Sequence, residues 1–201
     1  MAQSTYVAQP QLKVDGEEAP IELTNDILEI LVEESLHLPG TFFLMFRNSA
    51  LPGQEDAAFW EHQDLFGIGK PIEIGFNSST TGAKEYQEEL KGIVLKGEIT
   101  AIETHFTAEA QAPIIVRGYD ASHRLHRGRF NRSFQNMTDS DILKKIADET
   151  GIETDTVDDS GAPHDYLFQS NQTNMEFLRD RAARNGFELF TQDGKLNFRK
   201  P

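Results

Sequence analysis

The period of the hydrophobic positions changes partway along this chain. Up to about Asp120, apolar residues alternate with polar ones over short runs. Beyond that point they recur three and four apart, and the two spacings read as strands and helices respectively. Leu12 and Val14 share one face of a run that meets Asp15-Gly16, so Gln11 to Val14 and Ile21 to Leu23 read as an opening hairpin. Thr24 to His37 fits either period: Ile27, Leu28, Leu31 and Val32 form a helical stripe behind Thr24 as cap, while Leu28, Ile30 and Val32 alternate with Glu29 and Glu33 as in a strand. The strand is preferred, because Leu38-Pro39-Gly40 turns the chain at once into the β-branched and aromatic run Thr41 to Phe46. Asn48 to Lys70 has Pro52-Gly53, Gly67, Gly69 and Trp60 but little alternation. It reads as a long excursion with a helical turn around Asp56 to Phe59. Alternation resumes at Pro71 to Phe76. A polar loop is expected over Asn77 to Gly82, then three short strands over Leu90 to Thr100, Ala101 to Ala108 and Pro113 to Tyr119.

In the second half, Thr138 with Asp141 is a capping signal ahead of the apolar stripe Leu143, Ile146 and Ala147, and Gly151 ends that helix. Thr173 with Glu176 is a capping box, in which hydroxyl and carboxylate each satisfy an orphan N–H. Met175, Leu178 and Ala182 lie on one face of the helix that follows. Arg179, Arg181 and Arg184 load its last turns, where the helix dipole favours cations, and Gly186 is expected to stop it in the left-handed conformation. Phe187 and Leu189, then Leu196 and Phe198, alternate about the Asp193-Gly194 turn as a hairpin. Leu143, Ala147, Gly151 and Ile152 repeat the spacing of Leu178, Ala182, Gly186 and Phe187, an echo of shared capping chemistry. The fold class that follows is α+β: a small antiparallel β-barrel over residues 1–120, then a compact α/β domain over 121–201 built from two helix–strand units.

The run NQTNMEFLRDRAARNGFELFTQDGKLNFRKP, with the upstream GYDASHRLHRGRFNRSFQNMTDSDILKKIADETGI, resembles the hub part of VgrG-like spike proteins and the phage late control D family. The resemblance covers Gln111 to Pro201 and, more loosely, the first half, where it also implies a strand pair at Thr24 to Phe46. Such proteins sit at the centre of contractile tail and injection-system baseplates. The resemblance implies a homotrimer with two related barrels per subunit, joining a three-fold spike to a hexameric inner tube, and motifs that are structural. It also implies continuation into a small barrel and a β-helical needle beyond the hub. The chain stops at Pro201 with strands for one barrel, so a fragment and a split hub are both open, and a monomeric or weakly associating state is expected in dilute solution.

Composition narrows the partners. With 201 residues and 38% apolar content a core is within reach, and a net charge of −14 argues against nucleic acid or anionic lipid. There is no cysteine, hence no disulfide, thiolate nucleophile or Cys-based zinc site. MAQSTYVAQPQLKVDGEEAP has neither a basic nor an apolar leader region, and no run approaches the about 20 apolar residues of a membrane span. A cytoplasmic protein is expected, and the resemblance implies that it later enters a particle and reaches the outside or a target cell on firing. Sequons at Asn77, Asn131, Asn136 and Asn171 read as chance in that compartment.

Candidate chemistry is sparse. His123 and His126 could share a helix face, but Arg124, Arg127 and Arg129 surround them, and cations disfavour a metal. No nucleophile elbow or phosphate loop appears, and Gly67-Ile68-Gly69 lacks a third glycine. The acidic pairs Glu17-Glu18, Glu33-Glu34 and Asp158-Asp159 are what any acidic surface offers, although a retaining glycosidase needs only two carboxylates about 5 Å apart. No catalytic residue, metal or cofactor is expected. The feature above background is a basic island, Arg117, Arg124, Arg127, Arg129 and Arg132 against the single acid Asp120, which reads as a candidate protein interface or as a solvated sheet edge. Thr173, Glu176, Gly186 and Gly194 are expected in structural roles. The rival readings are a cell-wall hydrolase and a carbohydrate- or peptide-binding module, the latter calling for an exposed aromatic platform.

Overall fold

The computed structural model describes residues 6–36, 38–48, 62, 64–80, 89–104 and 112–201. They fall into two compact units, one comprising residues up to 33 with 40–119, the other 34–39 with 120–201.

The first unit begins with β1 (Tyr6–Val14), β2 (Glu17–Glu18) and the short helix α1 (Ile21–Asn25). Asp15 and Gly16 both have positive φ, 55° and 82°, which makes a two-residue primed turn and pairs Val14 with Glu17 directly. The hairpin expected to run on through Ile21 to Leu23 stops after Glu18. Pro20 cannot donate to a ladder, and its carbonyl instead accepts from the Thr24 N–H, opening a helical turn that buries Leu23. β3 (Ile27–Glu33) and β4 (Thr41–Phe46) follow as an antiparallel pair, so the strand reading of this stretch holds from Ile27 onward.

β5 (Pro71–Thr80) is longer than its alternation indicated. Asn77 to Thr80 lie in strand rather than loop, because β1 pairs with all four and β6 (Glu89–Thr104) with Asn77 to Ser79, which supplies a ladder whatever the side chains. β6 is one strand where two were expected, since no breaker stands between Thr100 and Ala101. The expected helical turn at Asp56 to Phe59, and the end of the expected Ala101 to Ala108 strand, lie outside the described residues. β7 (Ile114–Asp120) completes a seven-stranded sheet of order β2-β1-β5-β6-β7-β4-β3. Among the described residues this sheet stays open, with β2 and β3 at its ends, where a closed small barrel was expected.

Inward residues of the strands, among them Val14, Leu44, Phe46, Ile74, Ile99 and Val116, join Leu23 and Phe66 in one core. Among the described glycines, Gly118 on β7, whose cross-strand partner is Phe42, leaves the least room for a Cβ. A Cβ on Gly118 would run into the Glu98 carbonyl oxygen and lie 2.5 Å from the Phe42 ring.

The second unit opens with a 3-10 turn, Ala121–His126, capped by the Asp120 side chain, and β8 (Phe130–Phe134). Then come α2 (Asp139–Thr150), β9 (Thr154–Val157), β10 (Leu167–Gln172), α3 (Asn174–Asn185), and the hairpin of β11 (Glu188–Gln192) and β12 (Lys195–Arg199). β8 pairs with β10, and β12 lies between β11 and a parallel β9. Both helices have 12 residues, begin in a reciprocal capping box (Thr138 with Asp141, Thr173 with Glu176) and end at a left-handed glycine, Gly151 at φ 65° and Gly186 at φ 67°. In each, the N–H after the glycine returns to the last buried alanine, Ile152 to Ala147 and Phe187 to Ala182, both at 2.9 Å. Leu143, Ile146, Leu178, Leu196 and Phe198 fill the core, where Phe134 stacks on Phe177 at 5.5 Å.

Two glycine substitutions separate conformational from packing cost. Gly186→Ala meets open space and only a left-handed φ, and should lower stability by about 1 kcal/mol. Gly118→Ala must displace backbone or the Phe42 ring, and should cost about 3 kcal/mol. Urea denaturation of the two variants checks the order, which reverses if the strain at Gly186 dominates.

Candidate protein interface

The five arginines of the basic island are each engaged within their own unit. Arg117, in the first unit, lies 3.3 Å from Glu103 and over the Phe43 ring at 5.2 Å. The other four belong to the second unit. Arg124 donates to the carbonyls of Thr150 (3.1 Å) and Gly151 (2.6 Å), placing a cation where the end of α2 leaves acceptors unsatisfied. Arg127 contacts the Nε2 of His123 at 2.6 Å. Because a guanidinium only donates, that nitrogen is the acceptor, and the proton sits on Nδ1, which donates to the Asp120 carbonyl at 2.7 Å. His123 therefore has no free ring nitrogen for a metal. Arg129 donates to the Asn171 carbonyl at 2.7 Å and reaches Glu176, at 3.0 Å, on the capping box of α3. Arg132 is the most connected: it donates to Gln169 Oε1 (2.8 Å), Asn174 Oδ1 (2.9 Å) and Glu149, and lies over the rings of Phe130 and Phe134 at 5.0 and 5.1 Å. Gln169, fully buried, passes the network on by donating to Asn174 Oδ1 at 3.2 Å and to the carbonyls of Gln172 and Thr173.

A second polar cluster lies inside the same unit, and its two key residues were not singled out as partners from the sequence. Asp139, first residue of α2, and Arg181, on α3, are 3% and 6% exposed and form a two-pronged ion pair, Nε to Oδ1 at 2.6 Å and the second prong at 3.0 Å. Asn185 Nδ2 donates to Asp139 Oδ2 at 2.7 Å, and His164 Nε2 lies 3.3 Å from the same oxygen and 3.0 Å from the guanidinium. Burial pushes the Asp139 carboxyl up, but hydrogen bonds from Arg181, Asn185 and His164 outweigh it and leave the carboxyl below its ordinary range. The reading of Arg181 as a dipole residue thus missed its role. The signal was its spacing, since Asn174, Phe177, Leu178 and Arg181 fall on the buried face of α3.

Thr173 and Glu176 close the α3 cap, and Asp193 and Gly194, at φ 52° and 76°, form the primed turn between β11 and β12. His126 keeps a buried Nε2 without a hydrogen bond, and burial, then the field of Arg179, holds its pKa below the usual value. Among the described residues no group of three or more acidic or histidine side chains could hold a metal ion, and no helix is long and apolar enough to cross a membrane. Of the late aromatics, Phe198 is fully buried, whereas Tyr166 and Phe168 are 60% and 47% exposed.

A profile of the family described as Alg8 N-terminal domain matches residues 5–201. The chain belongs to the Alg8 N-terminal domain family. No curated protein sequence matches it. Among solved structures, the fold is similar to a 43 kDa tail protein of prophage MuSo2 from Shewanella oneidensis, with a TM-score of 0.71 and 19% identity over 96% of this chain and 53% of that one. A tail protein from Neisseria meningitidis MC58 is similar at TM-score 0.62 and 14% identity, over 95% of this chain and 50% of that one. A chain of the half-lidded Francisella PdpA–VgrG complex is similar at TM-score 0.59 and 15% identity, over 96% and 31%. This Alg8 N-terminal domain thus has a fold shared with phage tail proteins and a VgrG-containing complex, and it spans about half the length of the two tail proteins.

The magnitudes rank the arginines. Arg181→Met leaves a buried carboxylate uncompensated and should cost about 3–5 kcal/mol, whereas Arg129→Met removes an exposed pair and should cost about 1 kcal/mol or less. Urea denaturation reads both. The depressed Asp139 pKa has a defined sign: its contribution is complete above the unfolded-state value of about 3.9 and is lost as pH falls through the lower folded value. Stability should therefore drop on acidification below about pH 4, and Asp139→Asn should flatten that part of the curve.

Proposed function

We propose that the chain is the structural hub portion of a baseplate spike, in a contractile injection system or a contractile phage tail, joining a trimeric spike to a hexameric inner tube. The observation that carries this reading is the likeness to tail proteins over both units, 95–96% of the chain, in a sequence that independently resembles VgrG-like and late control D hubs. On this reading the chain is not an enzyme, and its partners are further copies of itself in the longer protein, inner-tube protein and other baseplate components. It resides in the cytoplasm until assembly and leaves the cell with the particle on firing. The arginine networks fit such a role: within the second unit they tie helix ends and strands together. A second reading, a carbohydrate- or peptide-binding module, draws on the exposed pair Tyr166 and Phe168.

The test is co-assembly. Mixed with the inner-tube protein of the same particle, the chain should co-sediment with tubes and appear at their ends in negative-stain images, and it should turn over neither peptidoglycan nor peptide or ester substrates. Failure to associate, or hydrolysis abolished by a single Asp or Glu substitution, would overturn the reading.

A further inference from the structure

The two ends of the seven-stranded sheet are treated differently. At one end β2 is two residues long, and the free side of β1 beyond it is shielded chemically: Leu12 presents its carbonyl to that side, where Ala19 donates to it at 2.8 Å. By the alternation of an antiparallel ladder, Pro10 faces the same way and has no N–H to offer. At the other end β3 is seven residues long, contains no proline or lysine, and among the described residues has a strand partner on one side only. Its bulge at Leu28 leaves that side chain 50% exposed, and Leu31 is 46% exposed. Glu29 and Glu33 flank Leu31 on the same side of the strand, are exposed, and have no ion partner among the described residues. Among the described residues, an open backbone ladder, apolar side chains and carboxylates without an ion partner therefore coincide on one edge.

We propose that β3 is a docking edge for an extended segment of a partner protein that alternates apolar with basic residues and adds to the sheet as an eighth strand. Main-chain hydrogen bonds would give affinity, Leu28 and Leu31 apolar contact, and Glu29 and Glu33 the choice of partner. A second copy of this chain fits poorly. Antiparallel self-pairing centred on Leu31 sets Glu29 of one copy opposite Glu33 of the other, and like charges directly opposite are unfavourable, in a molecule whose net charge is already −14. This inference stands apart from the hub reading, since it depends only on the sheet edge.

The probe is a blocked peptide of about ten residues alternating lysine and valine, followed by fluorescence anisotropy on the full chain. Four comparisons isolate the edge. The same peptide N-methylated at alternate residues keeps its charge but cannot complete a ladder. A glutamate–valine peptide keeps the pattern but reverses the charge. The Glu29→Lys/Glu33→Lys variant reverses the edge itself, and Leu31→Lys removes its apolar contact. The lysine–valine peptide should bind about tenfold or more tightly than the other two, should weaken between about 0.05 and about 0.5 M salt, and should lose about tenfold on Leu31→Lys. The double variant should prefer the glutamate–valine peptide. No binding, equal binding of the N-methylated peptide, or indifference to the β3 substitutions would overturn the proposal, the latter two marking simple attraction of a cation to an acidic protein.

Discussion

The second unit depends on one buried ion pair, Asp139 with Arg181, and on the order in which local chemistry builds it. Thr138 caps α2, which fixes Asp139 as the first helical residue, with its carboxylate near a terminus that favours negative charge. Arg181 reaches it from the buried face of α3, two turns beyond the matching cap at Thr173. A carboxylate at 3% exposure would be costly alone. Here its two oxygens receive the fork of one guanidinium and the amide of Asn185, so the charge is balanced and its acceptor sites are used. The helices cannot slide or rotate against one another without breaking that geometry, and the apolar contacts around it tolerate such shifts far better.

The same logic explains why an acidic chain concentrates arginine in this unit. Arg124 closes the acceptors at the end of α2, Arg129 braces the carboxylate that caps α3, and Arg132 draws Glu149, Gln169 and Asn174 together beneath two phenylalanine rings. A guanidinium can serve several acceptors in a fixed plane, and each of these positions offers more than one. Two 12-residue helices and short strands leave few long apolar contacts, and polar cross-links supply the specificity that a larger core would provide.

In the first unit the constraint is steric. A sheet of seven strands with one core needs close approaches between neighbours, and at Gly118, paired with Phe42, there is no room for a Cβ beside the Glu98 carbonyl oxygen and the Phe42 ring. The ladder also overrides side-chain character: Asn77 to Ser79 are strand because β1 and β6 both offer partners. Among the described residues the same sheet ends in β2 at one side and β3 at the other.

What the sequence determined by itself was local. The caps at Thr138 and Thr173, the left-handed glycines at 151 and 186, the Asp193-Gly194 turn and the strand at β4 all follow from interactions spanning a few residues, and these are readable because donor, acceptor and φ preference lie within one turn of each other. A resemblance to VgrG-like and late control D hubs was legible in the same helix-and-hairpin segment, and the fold is similar to that of phage tail proteins. Tertiary structure alone decided the rest. The helical turn after Pro20, the single long β6, the openness of the sheet and the pairing of Asp139 with Arg181 depend on groups tens of residues apart. The arginines 117, 124, 127, 129 and 132 show the limit most clearly: as a string they formed a basic island that reads as a protein interface or as a solvated edge, and the acceptor, carboxylate or ring that each meets within its own unit could not be read from the linear order.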